Sequence, residues 1–291
     1  MLKKQALHSL VQAASLVVVS LLSSSSVSAQ AAGDLVATKV AADLSAADPA
    51  AAYWQSAPAM TVTLMGQPIV LPKPEKTTTD KVTVQAVNDG KRAAFRVRWK
   101  DSEKSEAGRL GEFSDAFALQ FPVKPGETPP PVMMGAKDNP VHLFHWRAQY
   151  QRDKEKGKPD MKALYPNGAV DMYPMEFKEV ALGTDAQREK FSPGRIEGNP
   201  QSYEKTGVDE VVAEGFSTSQ VTEGHGSVGQ AVWKDGEWTL VISRPLMIDG
   251  GSQLAAGKKN FVAFAAWQGG QGEVGSRKSV TMTWTNLVVK N

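Results

Sequence analysis

Met133 and Met134 stand side by side in the stretch PPPVMMGAKDNPVHLFHWRAQ, which runs from residue 129 to residue 149. Two histidines, His142 and His145, follow three residues apart. A methionine thioether can ligate haem iron axially and raise its reduction potential, although methionine more commonly fills gaps in a core. Imidazole binds zinc or haem iron. On a helix the two histidines would share a face and could ligate together. The surrounding VHLFHW is short, and Asn139-Pro140 precede it, so it reads as a strand. On a strand, positions i and i+3 face opposite sides, which predicts one packed and one exposed histidine rather than a joint site. His225 sits in the loop Glu223-Gly224-His225-Gly226, where a lone histidine is more often solvated than a ligand. A metal-dependent enzyme built on His142, His145 or His225 is the weakest of the three readings carried here.

Much other chemistry is excluded. The chain has 291 residues and no cysteine. It therefore has no disulfide framework, no cysteine-held iron–sulfur cluster or zinc, and no C-x-x-C-H attachment of c-type haem. A net charge of +2 gives no basic face for nucleic acid. There is no G-x-S-x-G elbow, no phosphate-binding Walker loop and no G-x-G-x-x-G after a strand. Gly269-Gly270-Gln271-Gly272 is glycine-rich, but no helix follows it. Asp209 and Glu210 are neighbours in sequence rather than carboxylates poised across a cleft.

The elements that must position any site are strands. Val82, Val84 and Ala86 alternate with polar residues, Asn88-Asp89-Gly90 breaks the chain, and Phe95, Val97 and Trp99 alternate after it. Two alternating runs around such a turn predict a hairpin. Phe117, Leu119 and Phe121 predict another strand. Residues 229–234 and 238–243 flank Asp235-Gly236 as a second hairpin, 260–267 read as a buried strand, and 278–289 read as one final alternating strand. Helical signals are few, with a turn or short helix expected at 185–190. The fold expected is all-β: an antiparallel β-sandwich with long loop insertions, at 122–140 and 150–228, and a few short helices.

Residues 1–29 carry a basic start, a short apolar run and a small-residue end at Val27-Ser28-Ala29. This is the layout of a cleavable signal peptide. It predicts an exported, periplasmic protein with no membrane span in its mature form. Residues 30–52, rich in alanine, read as a flexible lead-in, and 53–291 as the folded domain.

Several longer stretches, taken in order, resemble one family. They are FSDAFALQFP (113–122), MMG (133–135), NPVHLFHWRA (139–148), AVWKDGEWTLVISRPL (231–246), FVAFAAW (261–267) and GSRKSV (275–280). Together they resemble the haem b (gamma) subunit of the type II dimethyl-sulfoxide-reductase family, found in ethylbenzene dehydrogenase, dimethylsulfide dehydrogenase, selenate reductase and chlorate reductase. The resemblance spans roughly residues 50 to 289. It implies a domain that holds one haem b, noncovalently, between a methionine and a lysine. The methionine falls on Met134, with Met133 an open alternative, and the lysine on Lys278. The histidines then shape or line the pocket. The resemblance also implies the role. The chain is not catalytic alone but passes single electrons between the iron–sulfur subunit of a molybdenum oxidoreductase and an external carrier such as a soluble cytochrome. The chemistry is compatible, because lysine ligates iron only as a neutral amine and burial favours that form. The sequence departs from the family at Trp267-Gln268-Gly269-Gly270, where an acidic residue is expected after the tryptophan. A reading of another class is an exported β-sandwich module that binds a small ligand or carbohydrate, with Trp54, Trp146, Trp233 and Trp267 as cleft residues.

Overall fold

A computed structural model describes residues 33–291, apart from 107, 160, 169–192, 198–206 and 223. Both hairpins expected from sequence are present. Strands β4 (Lys81–Asn88) and β5 (Arg92–Lys100) pair antiparallel. The Asp89 carboxylate accepts the Lys91 and Arg92 amides at 2.7 Å and closes their turn. Strands β10 (Val228–Lys234) and β11 (Glu237–Pro245) meet at Asp235 and Gly236, both at positive φ. That is the turn whose twist matches the strands it joins.

The sheet runs in the order β10-β11-β5-β4-β1-β14-β12-β6-β7-β8-β9. The remaining strands of that path are β1 (Leu35–Lys39), β6 (Ala116–Pro122), β7 (Val141–Arg147), β8 (Val208–Ala213), β9 (Gln220–Val221), β12 (Lys259–Trp267) and β14 (Thr285–Val289). Pairing is antiparallel except at β1, which runs parallel to both β4 and β14. Strand β12 belongs to two halves, since Lys259–Val262 pair with β14 and Ala263–Trp267 with β6. The sheet folds over at this strand, and its two halves face each other as a sandwich.

Alternation along the strands decides what fills the space between the halves. Phe95 and Trp99 of β5, Phe117 and Phe121 of β6, Trp146 of β7 and Trp238 of β11 all point inward and are buried. The Trp99 ring stacks on Phe117 at 5.2 Å and on Trp238 at 6.1 Å, and it meets Trp146 edge-on at 6.3 Å. Phe95 meets Phe121 across the same interface at 5.5 Å. No helix among the described residues is long and apolar enough to cross a membrane.

Four expectations need correction or placement. The lead-in is not flexible from residue 33 onward. Leu35 and Ala37 are fully buried in β1, which supplies the hydrogen bonds that β4 and β14 would otherwise lack. The Asn88 side chain clamps this junction by donating to the Ala37 and Lys290 carbonyls at 2.9 and 3.0 Å. The final strand is two strands, β13 (Ser279–Val280) and β14, separated by four residues. Because β12 changes partners midway, the chain pairing beside it must also break. β13 lies against the end of β12 and against β3 (Met65–Gly66), whereas β14 joins β1. The turn or helix expected at 185–190 and the leader at 1–29 lie outside the described residues. A helix that the alternation pattern did not suggest, α1 (Ala148–Lys156), continues directly from β7.

The aromatic stack gives a direct test of this packing. Trp99→Ala, which empties the centre of the interface, is expected to lower unfolding stability by about 3–5 kcal/mol, as measured by chemical denaturation.

Candidate functional site

The outward face of β6, β7, β8 and the end of β12 does not meet solvent directly. It forms the floor of a cavity of about 380 Å³. The residues that reach it alternate with the core residues on the same strands. Ala118 lies between Phe117 and Leu119, Leu143 and His145 flank Phe144, and Asp209 and Val211 flank Glu210. Small side chains leave the space open, because Ala118 of β6 stands opposite Ala265 of β12. The walls come from four loops, which contribute Gln67 and Val70, Met133 and Met134, Phe216 and Ser217, and Gly275, Ser276 and Lys278. A smaller adjoining recess of about 40 Å³ also touches Met133, Met134 and Lys278 and is closed by Gln120, Val132 and Val280.

The methionine loop is held in a strained shape. Met134 has φ of 69° and Gly135 has φ of 75°. A non-glycine residue there costs of order 1 kcal/mol or more and persists only when its surroundings impose it. The imposing contacts are hydrogen bonds. The Gly135 amide donates to the Pro131 carbonyl at 3.0 Å, and the Met134 carbonyl accepts the Gly215 amide at 2.8 Å. The Gln120 side chain donates to Val132 O at 2.7 Å, and the Trp284 indole to Pro130 O at 2.6 Å. Gly135 has no room for a side chain, since a Cβ would lie 2.9 Å from the Asn139 carbonyl oxygen. The loop therefore presents two adjacent thioethers to one cavity from a fixed backbone.

Lys278 enters from the other side, immediately before β13. Its carbonyl accepts the Gln67 amide at 3.0 Å, and its Nζ lies 5.0 Å from the Trp267 ring centroid. Burial lowers its pKa to about 8. Among the described residues no carboxylate forms an ion pair with it, so nothing offsets the loss of hydration. The loop that delivers it is tightly knitted. The Trp267 indole donates to Gly275 O at 3.0 Å, Arg277 Nε donates to Gly272 O at 2.8 Å, and the Gly269 amide donates to the buried Asp115 carboxylate at 2.8 Å. Gln268 stands where an acidic residue was expected, and it is buried. Its side-chain amide donates to Thr79 Oγ1 and Lys100 O at 3.0 Å, while its backbone N–H donates to Glu273 at 2.8 Å. An acidic group therefore does reach this corner, from five residues further along the chain, and burial raises its pKa.

The histidines are separated as strand geometry requires, but neither is fully exposed. His145 lines the cavity and stacks on Trp267 at 4.8 Å. Burial, with the Arg147 and Lys278 charges, holds its pKa well below the ordinary value. Its buried Nε2 has no hydrogen-bond partner among the described residues. His142 points the opposite way into the core. There its Nδ1 accepts the Ser252 amide at 3.2 Å, and its Nε2 lies 3.6 Å from the Glu210 carboxylate. Burial and the Arg244 guanidinium push its pKa down to about 4. His225 is not simply solvated, because its Nδ1 lies 2.7 Å from the same Glu210 carboxylate. Burial opposes ionisation of Glu210, but hydrogen bonds from Ser227 and His225 outweigh it and keep its pKa below the usual value. In sequence Glu210 shows only its adjacency to Asp209, because its partner His225 lies fifteen residues away across a strand and a loop. Among the described residues no group of three or more histidine or acidic side chains is placed to hold a metal ion.

Comparison with known proteins matches residues 51–279 to the ethylbenzene dehydrogenase family model. A chain assigned as a respiratory nitrate reductase heme subunit in Haloferax mediterranei is 27% identical over 259 residues, covering 88% of this chain and 73% of its own length. The chlorate reductase subunit gamma of Ideonella dechloratans is 26% identical, covering 83% of this chain and 79% of its own. The dimethylsulfide dehydrogenase subunit gamma of Rhodovulum sulfidophilum is 24% identical, covering 81% and 73%. A solved structure from Bacteroides uniformis, described as carbohydrate-binding, aligns at a TM-score of 0.43 with 10% identity, a likeness too low to carry a functional argument.

The depressed pKa of Lys278 sets a sign for stability. Below pH 8 the folded chain carries the full cost of a buried ammonium. Between about 8 and the ordinary lysine value near 10.5 the folded state gives up that proton before the unfolded state does, and the cost fades. Without any cofactor, Lys278→Met should therefore stabilise the protein at pH 7, by roughly 2 kcal/mol or less. The advantage should shrink as pH rises through 8, which denaturation curves at several pH values would measure.

Proposed function

Because the chain belongs to the ethylbenzene dehydrogenase family, we propose that it is the haem b electron-transfer subunit of a molybdenum oxidoreductase complex and is not catalytic alone. The observation that carries this reading is that Met134 and Lys278, far apart in sequence, line one cavity, with Lys278 lacking any ionic partner among the described residues. A cation with no counter-charge is costly in such a place, whereas a neutral amine there is a competent ligand for iron. The cavity volume lies in the range of ligand and cofactor sites, and its lining is mostly apolar with a few polar groups, as a macrocycle with a polar edge requires.

The residues would divide the work. Met134 Sδ and the Lys278 amine would hold the iron of one noncovalent haem b. The strained Met134-Gly135 backbone would keep the thioether aimed. Ala118, Leu143, Val211 and Trp267 would exclude water from the macrocycle faces, raising the potential further than ligation alone. Bound haem supplies the one-electron redox couple, and the protein supplies its axial ligands, its burial and a docking face. The partners in this reading are a molybdenum-containing catalytic subunit, an iron–sulfur subunit and an external carrier such as a soluble cytochrome. Export through the leader at residues 1–29 would place all of this in the periplasm.

Visible spectra of the chain purified with haem, oxidised and reduced, test the reading. The wild type is expected to show a low-spin b-type spectrum with about one haem per chain. Met134→Ala and Lys278→Ala should each become high-spin or lose haem. A wild type that takes up no haem refutes the assignment, and haem unchanged in both variants moves the ligands elsewhere, Met133 first.

A further inference from the structure

The haem reading leaves one group in the cavity without a role. His145 Nε2 is buried, and no hydrogen-bond partner for it exists among the described residues. A buried nitrogen left in this state is destabilising. His142, on the opposite face of the same strand, has its Nδ1 satisfied by Ser252. His142 Nε2 on the inner face is likewise without a hydrogen bond, but it lies 3.6 Å from the Glu210 carboxylate, whereas His145 lines the cavity.

What surrounds His145 narrows its purpose. Its ring stacks on Trp267 with centroids 4.8 Å apart, and Lys278 Nζ lies 5.0 Å from the centroid of that same indole. His145 and Lys278 line the same cavity. Asp209 also lines the cavity and pairs with His145 in register. Arg147, the other charged residue on this wall, can only donate hydrogen bonds. On this wall His145 Nε2 is a buried acceptor left without a hydrogen bond among the described residues.

An amine that ligates iron through its lone pair keeps two N–H bonds directed away from the metal. We propose that His145 Nε2 accepts one of these N–H bonds and thereby positions the Lys278 amine as the lysine-side axial ligand, a role that rests on the haem reading above. His145 is a positioning residue in this scheme and does not touch iron. Ligand groups in metal sites are commonly oriented by such partners, which also raise ligand basicity. An amine that donates to an acceptor gives more electron density to iron, which favours the ferric state and lowers the potential. Trp267 fixes both partners by presenting one ring to the imidazole and to the amine.

The test uses the haem-loaded full chain as wild type, His145→Phe and His145→Gln. Phenylalanine keeps a flat ring against Trp267 and removes the acceptor, whereas glutamine restores an acceptor oxygen. The expected result is a higher reduction potential and about tenfold weaker haem retention in His145→Phe, with both largely recovered in His145→Gln. Equal potential and retention in wild type and His145→Phe, with haem still lost in Lys278→Ala, overturn this inference and leave the haem reading standing. A wild type that binds no haem overturns both. A measurement without variants guards against a failure to fold. Nitrogen-15 spectra of histidine-labelled, reduced, haem-loaded wild type should show His145 Nε2 as a bare acceptor, and a protonated Nε2 overturns the proposal.

Discussion

A buried lysine held against an indole, with no ion-pair partner among the described residues, is an unfavourable arrangement, and much of the surrounding structure serves to maintain it. Left to itself the chain would turn Lys278 outward and hydrate it. The loop from Trp267 to Lys278 prevents that through hydrogen bonds along its length: Gln268 with Thr79 and Lys100, Gly269 with Asp115, Arg277 with Gly272, and Gln67 with the lysine carbonyl. These contacts reach β3, β5 and β6, so the lysine is fixed by the sandwich as a whole. Each hydrogen bond is worth about 1 kcal/mol net. Several together can hold one amine where its pKa falls to about 8.

The methionine side solves the matching problem by a different device. Met134 takes a backbone conformation that its side chain disfavours, and Gly135 follows in a place where no Cβ fits. The loop is anchored by Gln120 from the sheet floor, by Trp284 and by the amide of Gly215. With no cysteine in the chain, rigidity here comes from hydrogen bonds and indoles. Strain and buried charge are features that accompany binding and redox sites more often than plain scaffold. They meet here at one cavity.

The sheet separates two kinds of polar interior. On the inner face, Ser252 joins His142 and Arg244 through hydrogen bonds, and the Glu210 carboxylate lies between His142 and His225. On the outer face, one residue away along the same strands, His145 Nε2 has no hydrogen-bond partner among the described residues, and Asp209 and Arg147 line the cavity. The first arrangement stabilises a core, and the second is what a site looks like before its ligand is counted. The two differ only in which way a strand position points.

The sequence by itself determined strands β4 to β7 and β10 to β12, both hairpins and the separation of His142 from His145, because these follow from period-two alternation and from local turn chemistry at Asn88-Asp89-Gly90 and Asp235-Gly236, whereas β8 and β9 lie within the stretch 150–228 that reads as a loop. It also marked Met134 and Lys278, though only through a resemblance spread over many stretches. It did not show that residues 35–39 form an inner strand, since an alanine-rich segment has little pattern until neighbours on both sides need its hydrogen bonds. Nor did it show the break between β13 and β14, which arises because β12 changes partners at the fold of the sheet. Glu210 as the partner of two histidines, Glu273 as the acid that reaches the corner near Gln268, and the shared Trp267 ring were equally invisible. Those pairings join residues distant in sequence or on opposite sides of a loop, and only the closed sandwich brings such groups within reach of one another.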